Sequence, residues 1–171
     1  MLKLLGAVLV VGSSGVIGNI VARSYSERPR QLSELISAFT LLETEISYAK
    51  TPLSEALIRA GGQKGSIAGR IFEMASRIIA SGNQPPGQAW ETAVRRTYSV
   101  SALTAEDRDT LLAFSAKLGS CSSTDQLKHI AFVRERLRAN ETKARDKATE
   151  TARMWRYLGL TVGAMVTLLL Y

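Results

Sequence analysis

The chain of 171 residues has little of the chemistry on which enzymes and cysteine-rich domains depend. It contains one cysteine, one histidine and four prolines. A single cysteine excludes a disulfide framework and a cysteine zinc site, and a single histidine leaves few ligands or nucleophiles for catalysis. Four prolines are too few for a proline-rich tail or linker. The composition therefore predicts a protein that is not an enzyme and that uses no cofactor or metal.

The chain has fewer acidic residues than basic ones. Aspartate and glutamate total 15 against 22 lysines and arginines, which gives a formal net charge of +7 and a pI of about 9.9. Apolar residue types make up 46% of the chain, which is too high a fraction for a disordered chain and sufficient for a buried core. The chain is therefore predicted to fold as one basic domain of ordinary size.

Both ends of the chain lack charge. Leu4–Ala22 contains 19 uncharged residues, which as a helix would measure about 28 Å against roughly 30 Å of bilayer hydrocarbon. Leu158–Tyr171 contains 14, which is short for a full crossing unless the bilayer thins or Arg153 and Arg156 snorkel. We interpret both stretches as membrane segments.

Basic residues flank both uncharged ends, and under the positive-inside rule they place the middle of the chain in the cytoplasm. The expected organisation is an N-terminal transmembrane segment, a cytoplasmic bundle and a C-terminal transmembrane segment, at residues 1–23, 24–157 and 158–171. The first segment also has features of a cleaved secretion signal, but the arginines that follow it resist translocation. The side chains expected at the membrane interface are Arg23, Arg28, Arg30, Arg153, Trp155, Arg156 and Tyr157.

Three glycines in the first segment offer another interpretation. Gly12, Gly15 and Gly18 follow an apolar run, as glycines do in the dinucleotide-binding loop of a nicotinamide-dependent enzyme. That loop requires a second strand and an acidic residue about 20 positions further on, whereas the residues that follow here have helical periodicity. Small residues also allow close contact between membrane helices, and this is the interpretation that we prefer.

Six stretches of the middle have helical periodicity, and none alternates convincingly as a strand does. The apolar stripe of the first helix runs over 32–49, and Thr51 is expected to cap the second helix. Thr104 and Asp107 have the spacing of a capping box. No helix breaker occurs over 124–158, so the last helix is expected to run straight into the C-terminal membrane segment. The predicted fold class is all-α, a compact six-helix bundle flanked by an N-terminal and a C-terminal transmembrane helix.

The charged residues of the middle include the candidates for a functional site. Glu43 and Glu45 point about 200° apart on a helix, so they cannot share a proton or a substrate. The block Arg134–Lys147 has no aromatic residue for base stacking, which disfavours nucleic acid and favours a solvated helix near anionic lipid or a protein contact. His129 and Cys121 are predicted to be ordinary surface and loop residues. The residues predicted to bind a partner are Glu34, Glu43, Glu45, Arg134, Arg138 and Arg145.

The order of several short motifs resembles a known family. The segment SERPRQLSELISAFTLLETEISYAKTPLSEAL, residues 26–57, resembles the opening of the stage III sporulation protein AB family of endospore-forming bacteria. Ala89-Trp90, QLKHI at 126–130 and MWRYLG at 154–159 follow in the same order. The similarity covers essentially the whole chain, and it includes both uncharged ends.

The resemblance implies a bundle similar to the platform domain of type II secretion and type IV pilus systems. It implies a non-enzymatic role, without a cofactor, in the channel complex that spans the two membranes around the forespore. The implied location is the mother-cell membrane. The implied partners are a secretion-type ATPase and other channel subunits in a hetero-oligomeric assembly, with no nucleic acid. The alternative is a platform protein of a general type II secretion or type IV pilus system, which would normally carry two tandem bundles.

Overall fold

Helices and short turns form the part of the chain that can be described. The computed structural model describes residues 26–49, 51–62, 65–116, 118–119 and 123–170. Within these ranges there is no strand, and the six α-helices are α1 (26–44), α2 (Leu53–Ala60), α3 (Ile67–Ala80), α4 (Pro86–Tyr98), α5 (Ala105–Ser115) and α6 (Ser123–Leu170). The predicted all-α fold with six helices is therefore confirmed.

The contacts between residues divide the chain into two compact units. The first is Arg28–Thr142 and holds the bundle from α1 to the first part of α6. The second consists of Met1–Glu27 and Lys143–Tyr171, and 143–170 within it is helical. No helix among the described residues has an apolar stretch of the length needed to cross a bilayer. The predicted membrane segment Leu4–Ala22 lies outside the described residues.

Four aromatic rings fill the centre of the unit Arg28–Thr142. Phe39 on α1 lies edge to face against Phe72 on α3, Trp90 on α4 and Phe114 on α5, with ring centroids between 5.3 and 5.8 Å apart. All four rings are buried. Edge-to-face contacts bring the positive edge of one ring to the negative face of another, which adds to the burial of apolar surface. The Phe39 ring therefore joins three helices to α1.

Side chains near the helix ends explain where the helices begin and how they are joined. The hydroxyl oxygen of Ser66 accepts a hydrogen bond from the Gly69 N–H at 2.9 Å, so Ser66 caps α3. Pro86 begins α4, where its missing N–H breaks no helical hydrogen bond. Helix α3 packs against α2 and α4, and α4 packs against α5. The Trp90 indole N–H donates to the Leu111 carbonyl at 2.8 Å, which adds a polar tie between α4 and α5.

The end of α1 differs from the prediction. The segment Glu45–Ala49 is π-helical, and its wider turn displaces residues from the stripe that a spacing of three and four predicts. Ile46 is therefore half-buried and Ala49 is exposed. Thr51 does not cap α2: Pro52 holds the N-cap position without a side-chain hydrogen bond, and the Thr51 hydroxyl donates to the Glu45 carboxylate at 3.0 Å. Helix α6 passes through Gly159 and extends to Leu170, as expected of a continuous last helix, since one glycine costs only about 1 kcal/mol inside a helix.

Candidate interaction surface

Three polar side chains lie on the buried faces of their helices. Asp107 is one turn before Leu111 on α5 and is 0% exposed. Arg28 on α1 and Asn140 on α6 also lie one turn from a buried leucine, so helical periodicity carries all three toward the core. They meet beside the loop before α5. We call this group the polar junction, and its members are Arg28, Thr104, Asp107 and Asn140.

The Asp107 carboxylate is bonded from several parts of the bundle. Arg28 donates from Nε to Oδ2 at 2.8 Å and from Nη2 to Oδ1 at 3.1 Å. Asn140 donates from Nδ2 to Oδ1 at 2.8 Å. The Thr104 N–H donates to Oδ2 at 2.9 Å, which is one of the two bonds of the predicted capping box, and the Thr104 hydroxyl also donates to Oδ2 at 2.8 Å. Because a bidentate guanidinium–carboxylate pair is strong and directional, the polar junction fixes α1 and α6 to the start of α5.

The polar junction changes the acidity of its charged members. Burial raises the pKa of the Asp107 carboxyl, but the hydrogen bonds from Arg28 and Thr104 and the attraction of Arg28 outweigh burial. The pKa of Asp107 therefore lies below its ordinary value in the folded chain. The hydrogen bond with Asp107 raises the pKa of Arg28 in turn. Both groups are charged at neutral pH, and each stabilises the charge of the other.

The lowered pKa predicts a stability that depends on pH. Asp107 contributes stability above its unfolded pKa of about 3.9, and this contribution is lost as the pH falls through the lower folded value. We expect the difference in free energy of unfolding between the wild type and Asp107→Asn to be largest near neutral pH and to shrink below about pH 4. Urea unfolding of the purified full-length chain across pH measures this difference. A constant difference across the same range would contradict the prediction.

A second ion pair joins α1 to α6. Arg134 donates a hydrogen bond from Nη1 to the Glu43 carboxylate, and both side chains are mostly buried. Both residues are predicted to bind a partner, and in the structure they contact each other. Their pairing gives each charge an internal partner, so the contact also contributes to holding α6 against α1.

The other predicted partner-binding residues do not form one cluster. The Glu45 carboxylate on the π-helical segment accepts a hydrogen bond from the Thr51 hydroxyl, and its Oε2 lies 3.5 Å from Nη1 of Arg59. Arg138 on α6 is exposed, and its Nη1 lies 3.7 Å from Oε2 of Glu135 on the same helix. Arg145 is exposed on α6, outside the unit Arg28–Thr142. Their role in binding a partner stays a prediction.

The residues predicted at the membrane interface have different surroundings. Arg28 belongs to the polar junction, so its guanidinium bonds Asp107 inside the bundle instead of facing solvent alone. Arg30, Arg153 and Tyr157 are exposed. Arg23 lies outside the described residues, and the side chains of Trp155 and Arg156 are not described either. The interface role of these three residues stays a prediction.

A groove runs along the exposed side of α1, and Glu34 lies at its centre. The groove has a volume of about 280 Å³. Its second wall is the end of α2 and the start of α3, where the residues are small: Ala60, Gly61, Gly62, Ser66 and Ala68. The side chains of α1 that line it recur at three and four, and we call this feature the α1 groove: Arg30, Ser33, Glu34, Ser37, Ala38 and Leu41.

Asn140 is not among the residues predicted to be functional, and Asp107 is predicted only to cap a helix. The sequence nevertheless contains a pattern that indicates the burial of both. Asp107, Leu111 and Phe114 are spaced by four and three along α5, and Val133, Leu137 and Asn140 have the same spacing along α6, with the polar residue last. A polar residue that extends an apolar stripe by one turn is expected to be buried, and buried polar groups find partners. The identity of those partners depends on the tertiary arrangement.

These features define the class of the protein as an all-helical bundle in which polar side chains tie the helices together and in which the α1 groove opens on the surface. Among the described residues, no three histidine, cysteine, aspartate or glutamate side chains lie close enough to hold a metal ion. The α1 groove is the candidate functional feature of the bundle.

Comparisons with known proteins identify the family. The family model for stage III sporulation protein AB matches residues 3–171. The stage III sporulation protein AB of Bacillus subtilis strain 168 is 32% identical over 170 residues, which is 99% of each chain. A solved structure of a stage III sporulation protein AB matches with a TM-score of 0.67 at 29% identity, and the match covers 72% of this chain and 97% of that chain. The chain belongs to the stage III sporulation protein AB family and is a sporulation protein.

Proposed function

We propose that the chain is a non-enzymatic membrane platform component of a sporulation-specific, secretion-like channel complex between mother cell and forespore. In this proposal it anchors a secretion-type ATPase or relays its movement to the other subunits. The match to the family over residues 3–171 carries the proposal. The compact, basic bundle with its internally bonded polar side chains supports a role in contact and force transmission over a role in catalysis.

The proposal includes an attachment to the mother-cell membrane at both ends of the chain. The uncharged stretches Leu4–Ala22 and Leu158–Tyr171 would be the membrane segments, with the bundle on the cytoplasmic side. Fractionation of sporulating cells tests this part, and the chain is expected to require detergent for extraction. Recovery without detergent would contradict the attachment. A tag fused after Tyr171 that is found in the cytoplasm would contradict two full crossings.

The identity of the partners is tested by crosslinking in cells. A photo-crosslinking residue at position 34, 45 or 138 replaces Glu34, Glu45 or Arg138, and each full-length variant is expressed in sporulating cells. We expect capture of a secretion-type ATPase or another channel subunit from at least one of these positions. Glu73 on α3 is a matched control, since it is also an exposed glutamate on a helix of the bundle. If positions 34, 45 and 138 capture no more of these proteins than position 73, the platform role is wrong.

The proposed relay depends on α6, because a helix transmits displacement only while its backbone hydrogen bonds are continuous. Helix α6 extends over Ser123–Leu170. Insertion of Gly-Pro after Ala144 removes hydrogen bonds and kinks the helix. We expect this insertion to abolish sporulation without lowering the amount of the protein in cells, as measured by spore counts and immunoblotting.

The control insertion places Gly-Pro in the exposed turn between Gly82 and Asn83, where no helix is interrupted. We expect nearly normal spore counts from this variant. Normal sporulation after insertion at Ala144 would show that the movement does not depend on a continuous α6.

A further inference from the structure

One carboxylate oxygen of Glu34 in the α1 groove has no hydrogen-bond donor among the described residues. Its Oε1 lies 3.9 Å from Nη1 of Arg30, which is beyond hydrogen-bonding distance. Its Oε2 is buried, and no donor of the described part of the chain bonds it. Buried carboxylate oxygens are normally hydrogen-bonded because the loss of water destabilises them. The position therefore favours a donor that comes from another molecule.

The shape of the α1 groove suits a helix. Its α1 wall extends from Arg30 to Leu41, a length of about 16 Å or three helical turns. The opposite wall includes Gly61 and Gly62, and residues without large side chains allow another backbone to approach closely. Leu41 is 48% exposed at one end of the groove, where it offers an apolar contact.

The charges around Glu34 restrict the occupant further. A neighbouring hollow of the same surface is lined by Arg30, Glu34 and Arg70, so one carboxylate shares that hollow with two cations. A strongly basic segment would be repelled by those arginines, whereas one cation flanked by carboxylates complements all three charges. A second copy of this chain fits poorly, because each copy carries a net charge of +7.

We infer that the α1 groove binds a helical segment of a partner protein that places one lysine or arginine on Glu34, acidic side chains beside Arg30 and Arg70, and an apolar side chain on Leu41. The carboxylate of Glu34 rotates readily about its last side-chain bond, so either oxygen can meet the incoming cation. This inference rests on the proposed function and adds the chemistry of the contact to it.

The experiment uses the full-length chain in sporulating cells with a photo-crosslinking residue at position 37, where Ser37 is exposed in the groove and carries no charge. We expect capture of a partner peptide that contains a lysine or arginine. Glu34→Gln removes the charge but keeps the shape, and we expect capture to fall roughly tenfold or more because a buried charge pair is lost.

The same substitution separates binding from folding. Since Glu34 lacks a hydrogen bond at Oε2, Glu34→Gln is expected to leave the urea midpoint of the purified chain unchanged or raised. Glu73→Gln is the matched control, since Glu73 also pairs with an arginine four residues away, and capture is expected to stay within a factor of about two. When the captured lysine or arginine of the partner is replaced with glutamate, capture by the Glu34→Lys variant should be restored.

Three results would overturn the inference: undiminished capture by Glu34→Gln, a captured peptide without lysine or arginine, and capture of a second copy of this chain. If position 37 captures nothing while positions 45 and 138 still capture channel subunits, the groove inference is wrong and the platform role stands. If none of these positions captures a subunit, the platform role itself is wrong.

Discussion

Replacing Asp107 with alanine is expected to lower the free energy of unfolding by about 3 kcal/mol, the lower end of the range for breaking a buried ion pair. The carboxylate is 0% exposed and accepts hydrogen bonds from Arg28, Thr104 and Asn140. Its removal leaves a buried amide and a backbone N–H without their acceptor. The lower end of the range applies because the Arg28 side chain remains 21% exposed and can still reach water.

Asp109→Ala is the matched control for this experiment. Asp109 also lies on α5 and also pairs with an arginine, Arg108, but it is exposed. Exposed ion pairs contribute about 0–1 kcal/mol, so the urea midpoint is expected to move little. A double-mutant cycle with Arg28→Ala then isolates the pair, and additive effects of Asp107→Ala and Arg28→Ala would show that the polar junction does not couple α1 to α5.

Replacing Phe39 with alanine is expected to lower the free energy of unfolding by about 3–5 kcal/mol. The Phe39 ring is 0% exposed and contacts the rings of Phe72, Trp90 and Phe114. Truncation removes the apolar burial of the ring and leaves a cavity among four helices, α1, α3, α4 and α5, that cannot close without moving their backbones. Urea unfolding of the purified chain, followed by tryptophan fluorescence, measures the loss.

Phe132→Ala provides the comparison, because Phe132 lies on α6 with 54% of its surface exposed. Its expected effect is within about 0.5 kcal/mol. Equal losses from Phe39→Ala and Phe132→Ala would mean that the aromatic cluster is not the centre of the core.

The elements of the bundle could be predicted because their signals are local. Helical periodicity and the breakers between the stripes identify six helices, and residues 53–60 are helical as expected. The motifs at residues 26–57, 126–130 and 154–159 identify the family, which the comparisons confirm. The π-helical segment Glu45–Ala49 could not be predicted, because residue preferences near a helix end do not distinguish a wide turn from an α-helical one.

The candidate site could be predicted only in part. Glu34 is one of the predicted partner-binding residues, and the groove that surrounds it involves the distant start of α3. Glu43 and Arg134 are also among them, but their pairing joins residues far apart in the chain. Charge at a position is visible in a sequence, whereas the partner of that charge depends on which helix faces it.

Local chemistry along the chain thus suffices for the helical class, the basic charge, the capping box at Thr104 and Asp107 and the membership of the family. The convergence of Arg28, Asp107 and Asn140, and the burial of Oε2 of Glu34 without a donor among the described residues, arise only when the helices pack. The physical reason is the distance along the chain over which each effect acts. Periodicity and capping act over one or two helical turns, whereas burial and ion pairing depend on residues that packing brings together from the whole length of the bundle.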